Sequence, residues 1–169
     1  MTPFFNAEAQ RGNESYAEEI MRENEITQAV IGATIEVHKI LGPGLIERPY
    51  EDAMCREFHL RGLKWERQMP VAIEYKGVKL GTPLVLDLLL EEKVIIDLKA
   101  KETVTGLDKK KVLTYLRLSN LRLGLIINFN VELLRDGITR IVNDFEDRED
   151  NDGRDKDEGD PQEPPNLHE

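Results

Sequence analysis

Cysteine occurs once in the 169 residues, at position 55, which excludes an internal disulfide and any zinc cluster built on thiolates. Cys55 falls in a helical pattern beside Met54 and Phe58, where packing is the ordinary role of a small apolar side chain. Long apolar runs are missing too. No stretch approaches the roughly eighteen residues that cross a bilayer, and the acidic, polar N-terminus is unlike a signal peptide. The expectation is a soluble, cytoplasmic protein with no membrane partner. Histidine is scarce: His38 and His59 stand alone in helical stretches and His168 lies near the C-terminus, so no spacing suggests a histidine-held metal. A phosphate-cradling glycine loop is also lacking, since Gly42-Pro43-Gly44 has neither the lysine nor the hydroxyl such a loop needs.

Positive charge is in deficit overall, with a formal net charge of -10, but the deficit is confined to the ends. Residues 144–169 hold twelve acids and three bases, and residues 1–24 hold five acids and two bases. The body between them, residues 25–143, carries sixteen acids and eighteen bases. That body is free to approach a polyanion. Both ends have little to bury and are expected to be poorly ordered, the second as an acidic tail. The tail reads either as a solvated segment that aids solubility or as an internal mimic of nucleic acid competing for the body's bases. One domain over 25–143 is large enough for a sizeable core.

Within the body, Ile26, Val30, Ala33, Val37 and Ile40 recur at helical spacing up to Gly42-Pro43-Gly44. A second helix is predicted from about Ile46 to Arg61, and a third from about Leu107 to Leu118. Strand periodicity begins at "MPVAIEY", continues through "VLDLLLEEKVIIDLK", and returns in "LGLIINF" and "GITRIV". The order ααβββαββ, with one long helical crossover, argues for an α/β sheet layered with helices.

The run "VLDLLLEEKVIIDLK" is the informative one, because Asp87, Asp97 and Lys99 sit inside otherwise apolar strands. An ionised group there costs several kcal/mol unless it is paired or holds a metal. Asp97 and Lys99 are two apart and share a face. Asp87 depends on register: a three-residue turn (Glu91, Glu92, Lys93) puts it across from Asp97, while a two-residue turn sends the carboxylates to opposite faces. Two facing carboxylates repel unless a cation lies between them. Oxygen-only ligands favour Mg²⁺ or Mn²⁺, and such an ion beside a lysine is equipped for phosphodiester hydrolysis. The bland alternative is an aspartate pair bridged to Lys99 with no metal.

An acid followed about ten residues later by acid-x-lysine resembles the PD-(D/E)xK nuclease superfamily. The upstream Gly44-Leu45-Ile46-Glu47-Arg48-Pro49-Tyr50 matches GxxExxY, the signature of the GxxExxY protein family assigned to that superfamily. "VHKILGPG", "YKGVKLG", "LTYLRL" and "LGLIINFN" match as well. The resemblance runs from about Ile26 to Val142. It implies a restriction-endonuclease-like αβββαβ core, a mixed central sheet flanked by helices, and metal-dependent cleavage of nucleic acid, DNA ahead of RNA, with room for a homodimer. By that likeness Asp87, Asp97, the Leu98 carbonyl and Glu47 hold the metal, Lys99 serves the water or the transition state, and Tyr50, Lys110, Lys111 and Tyr115 contact substrate. Glu47 and Tyr50 are i, i+3 neighbours on a helix, and an acid in a first turn suits the helix dipole.

The chain departs from the family's usual helical glutamine, having Lys111 in "KVLTYL". That lysine could grip a phosphate, or supply the positive charge a metal would otherwise bring and so silence the site. The rival to a nuclease is therefore a non-catalytic module on the same scaffold that binds nucleic acid or a protein partner. A third reading is a regulatory protein acting through its acidic tail.

Overall fold

A computed structural model of the protein describes residues 5–144. Two helices, α1 (Phe5–Leu41) and α2 (Glu47–Leu60), lead into strand β1 (Trp65–Val71) and a small hairpin, β2 (Glu74–Tyr75) with β3 (Val78–Lys79). Strands β4 (Leu84–Leu90) and β5 (Val94–Lys99) follow, then helix α3 (Gly106–Ser119), β6 (Leu123–Asn128), a 3₁₀ turn (Leu134–Gly137) and β7 (Ile138–Val142).

The main sheet has the order β1-β4-β5-β6-β7. Only β5 and β6 run parallel, and α3 supplies the crossover such a pair requires. Helices cover both faces. Val30, Val37, Tyr50, Met54 and Phe58 of α1 and α2 pack against Leu88, Ile96 and Leu98 on one side; Val112, Tyr115 and Leu116 of α3 pack against Leu86, Ile95 and Ile126 on the other. Strands β5 and β6 are buried throughout, which is why they read as near-continuous apolar runs rather than alternating ones. The sequence α2, β1, β4, β5, α3, β6 is the expected restriction-endonuclease-like αβββαβ core with a mixed, helix-flanked sheet.

Two expectations change. Helix α1 starts at Phe5, ahead of the apolar periodicity that begins at Ile26. One acid of that segment has a partner far along the chain: Glu23 is buried and accepts from Arg122 Nη1 at 2.7 Å, just ahead of β6. The first strand opens at Trp65 rather than Met69 and is distinct from the Glu74–Tyr75 strand. Its "WERQMPV" alternates half-buried and exposed positions up to the buried Val71, as suits an edge strand, and Trp65 packs against the α1–α2 core. The acidic tail beyond Asp144 lies outside the described residues.

Candidate active site

The turn between β4 and β5 has three residues, with Leu90 paired to Val94, Leu89 to Ile95 and Leu88 to Ile96. Glu91 and Glu92 take left-handed backbone angles, φ +48° and +57°, and Lys93 N–H closes the turn on the Leu90 carbonyl at 2.8 Å. The register is thus the one that directs Asp87 toward Asp97. One step beyond Leu88, however, the ladder opens. Asp87 Oδ2 accepts the Leu98 N–H at 2.8 Å, so a side-chain oxygen stands where the backbone of β4 would have been.

The neighbouring strand bends at the same level. In β1, Arg67 pairs with Leu88 and Met69 with Leu86, while Gln68 between them, level with Asp87, is at φ +52°. Both strands change faces there: Trp65, Leu88 and Leu90 belong to the α1–α2 side, Met69 and Leu86 to the α3 side. A strict strand would keep Leu86 and Leu88 together. Glu51 of α2 holds the bend, accepting from Gln68 Nε2 at 2.9 Å and pairing with Arg67, whose Nη2 donates to Asp52 at 2.6 Å.

Asp97 and Lys99 face α3. The Asp97 side chain is 2 % exposed, Lys99 Nζ lies 2.5 Å from its Oδ2, and Lys111 Nζ approaches its Oδ1 at 3.6 Å. These are charge contacts without hydrogen-bond direction, since neither Asp97 oxygen has a hydrogen-bond partner. Lys99 Nζ instead donates to the Leu98 carbonyl at 3.2 Å. Helix α3 is set in place by a capping box, Thr105 with Asp108, whose carboxylate also pairs with Lys101 Nζ just past β5 at 2.5 Å. Residue 111 therefore arrives over the end of β5.

The charges are strongly coupled. Burial raises Asp87 to a pKa of about 6, with Asp97 pushing the same way and the Leu98 amide, Lys99 and Lys111 opposing it. For Lys111, burial pulls downward, but Asp97, Tyr115 and Asp87 outweigh it and hold the ammonium above its usual value.

Other residues expected at the site take different places. Tyr50 is fully buried and stacks on Phe129 at 4.2 Å between ring centroids. Its hydroxyl donates to the Gly42 carbonyl at 2.5 Å and accepts from Leu45 N–H at 3.2 Å. It therefore pins the Gly-Pro-Gly turn. Tyr115 is 4 % exposed in the α3 core, and its ring lies 5.2 Å beneath the Lys111 ammonium. It supports that lysine. Glu47 is exposed and lines an open cavity of about 420 Å³ with Ile46, Arg48 and Ala100. Helix α2, which carries it, covers the opposite face of the sheet from Asp97. Lys110 is exposed on α3.

A family model described as the PD-(D/E)XK nuclease superfamily matches residues 24–141. The chain belongs to that superfamily. Neither a curated protein nor a solved structure matches it.

Nucleases of this superfamily use divalent metal ions, and the donors present suit one. Asp87 and Asp97 supply carboxylate oxygens, the two on Asp97 buried and without hydrogen bonds, and the Leu98 carbonyl is adjacent. A hard ion such as Mg²⁺ is commonly held by one or two carboxylates, with water and substrate completing its shell. Among the described residues no cluster of three His, Cys, Asp or Glu side chains forms.

Two supporting residues, Gln68 and Glu51, escape sequence reasoning. They carry no signal of a strand bend, because neither is a residue type that marks a left-handed backbone. Asn128, paired in register with Lys99, secures the strand ends by accepting from Lys101 N–H at 3.1 Å and donating to its carbonyl at 2.7 Å. Its place at the end of an apolar strand was the available clue.

Proposed function

We propose that this superfamily member is a metal-dependent phosphodiester hydrolase acting on nucleic acid, DNA ahead of RNA, and that it groups with the GxxExxY proteins. The observation that carries the reading is the convergence of Asp87, Asp97 and Lys99 where the β4–β5 ladder opens, with both Asp97 oxygens buried and lacking hydrogen bonds. Asp87, Asp97 and the Leu98 carbonyl are the residues to hold Mg²⁺ or Mn²⁺. When bound, such an ion lowers the pKa of water and offsets charge on a phosphate.

The chain's own groups do the rest. Lys99, fixed by Asp97 and the Leu98 carbonyl, presents one ammonium at a set position, where it orients a water and balances charge on the reacting phosphate. Lys111 and Lys110, on the helix above, attract the substrate backbone. Glu47 shares an open cavity with Ala100, the residue after Lys99. A homodimer places two such sites on the two strands of a duplex, and no helix among the described residues is long and apolar enough to cross a membrane.

Cleavage of DNA by the purified full chain in Mn²⁺ tests this. Asp97→Asn and Lys99→Ala, purified identically, should each lose at least roughly 100-fold in rate; variants as active as wild type would sink the proposal. A second reading has its own observation. Lys99 and Lys111 together already neutralise Asp97, as a silent nucleic-acid-binding module would require. Such a module binds DNA but is indifferent to Mn²⁺.

A further inference from the structure

We propose that Lys111 is a displaceable internal counterion of Asp97, so that divalent metal and nucleic acid bind to this site cooperatively. The inference rests on the nuclease reading and concerns how that site is loaded.

With both carboxylates ionised, Asp87, Asp97, Lys99 and Lys111 sum to no net charge. A divalent ion added to that set leaves an excess of two positive charges. One of the lysines must yield, and the two are unequal. Lys99 has a side chain 10 % exposed and is held by the Leu98 carbonyl at 3.2 Å. Lys111 is 44 % exposed, makes a looser 3.6 Å contact with Oδ1 and otherwise rests over the Tyr115 ring at 5.2 Å. Its stem leads outward to solvent, where the ammonium can pair with a phosphate. A phosphate that takes Lys111 frees Asp97 Oδ1 for the metal, and a metal on Oδ1 frees Lys111 for phosphate. By linkage the two effects are equal. A helix residue with no charge at position 111 would leave the metal-free site negative and the coupling of metal to substrate weaker.

The test uses Mn²⁺ titration of the full chain, followed by electron paramagnetic resonance of the free ion. Lys111→Gln should bind Mn²⁺ about tenfold more tightly than wild type, within the typical range of coupling between sites. Lys109→Gln, which removes the same charge from an exposed position on the same helix, should change it less than twofold. In fluorescence anisotropy, Mn²⁺ should tighten wild-type binding to a phosphorothioate DNA duplex about tenfold, and that gain should shrink in Lys111→Gln. If the glutamine variant melts, Lys111→Met serves in its place. Mn²⁺ binding that Asp97→Asn abolishes but Lys111→Gln fails to tighten would overturn this inference and leave the nuclease reading standing. Equal tightening in Lys109→Gln would overturn it too. Absence of Mn²⁺ binding in wild type and Lys111→Gln alike would remove both.

Discussion

The Asp87 carboxylate accepts the Leu98 amide proton at 2.8 Å, the position the Leu86 carbonyl would occupy had the register of β4 and β5 continued past Leu88 and Ile96. One bond thus does two things. It satisfies a backbone donor where the ladder stops, and it fixes a carboxyl next to Asp97 in a place with little water. The second effect is unfavourable for an anion, and burial accordingly holds Asp87 at a pKa of about 6.

A dependence of stability on pH follows. The folded-state value lies above the usual carboxylate value near 4, so folding favours the protonated acid. The associated stability is present below about pH 4 and is lost as pH rises through about 6. Asp87→Asn keeps an oxygen for the Leu98 amide but no longer titrates. In EDTA the variant should match wild type near pH 4 and exceed it near pH 8 by up to about 3 kcal/mol, read from urea unfolding at several pH values. A difference that stays constant across that range would mean the carboxyl is well solvated. Metal affinity should run the other way, weakening as pH falls below about 6.

Asp97 is coupled to its surroundings differently, through cations. Replacing it with alanine takes the adjacent carboxylate from Lys99, 10 % exposed, and leaves it the Leu98 carbonyl as hydrogen-bond acceptor and the charge of Asp87. Breaking one partner of a buried pair typically costs about 3–5 kcal/mol. Asp97→Ala should therefore destabilise far more than Asp97→Asn, which retains an acceptor. Chemical denaturation separates them; equal losses would show that Lys99 finds compensation elsewhere.

How much of this the sequence discloses depends on which regularity each residue obeys. Asp97 and Lys99 follow the two-residue period of a strand, and their shared face toward α3 is legible from spacing alone. The three-residue turn was one of two registers consistent with the pattern, and it is the one found. Asp87 reaches Asp97 by a different route from simple cross-strand facing, because β1 and β4 both switch faces at Gln68 and Asp87. That switch depends on a tertiary clamp from Glu51, which no local pattern encodes. Glu47 and Tyr50 share a helical face by spacing, yet one is exposed and the other fully buried. Glu47 lines an open cavity, while Tyr50 turns inward to stack on Phe129. For α1, weak apolar periodicity before Glu23 hides a helix that extends to Phe5.

Tyr50→Phe isolates what the Tyr50 hydroxyl does. Phenylalanine keeps the stack on Phe129 but leaves the Gly42 carbonyl and Leu45 amide without their partner. A loss of about 1–3 kcal/mol is expected, the range for stranding buried polar groups. DNA affinity at saturating stability should remain within about twofold of wild type, since the ring never reaches the surface. Unchanged stability with weakened DNA binding would restore Tyr50 to a substrate role.

The seat of α3 on β6 controls where Lys111 falls, and Gly124 is the residue that permits it. A Cβ at position 124 would lie 2.7 Å from Val112 Cγ1 and 3.4 Å from Leu116 Cδ1. Val112 is fully buried and cannot turn aside into open space, so Gly124→Ala must lift the helix or force a poor rotamer. Overpacking of this kind costs typically about 1–3 kcal/mol. Lys111 neighbours Val112 and moves with it, so the 3.6 Å approach to Asp97 should be lost as well. Adding Val112→Ala vacates the space that the new methyl needs. The double variant should then be more stable than the sum of the single losses allows, by about 0.5–3 kcal/mol, the range for residues in contact. A double-mutant cycle in urea measures that surplus, and strict additivity would mean that α3 does not rest on Gly124.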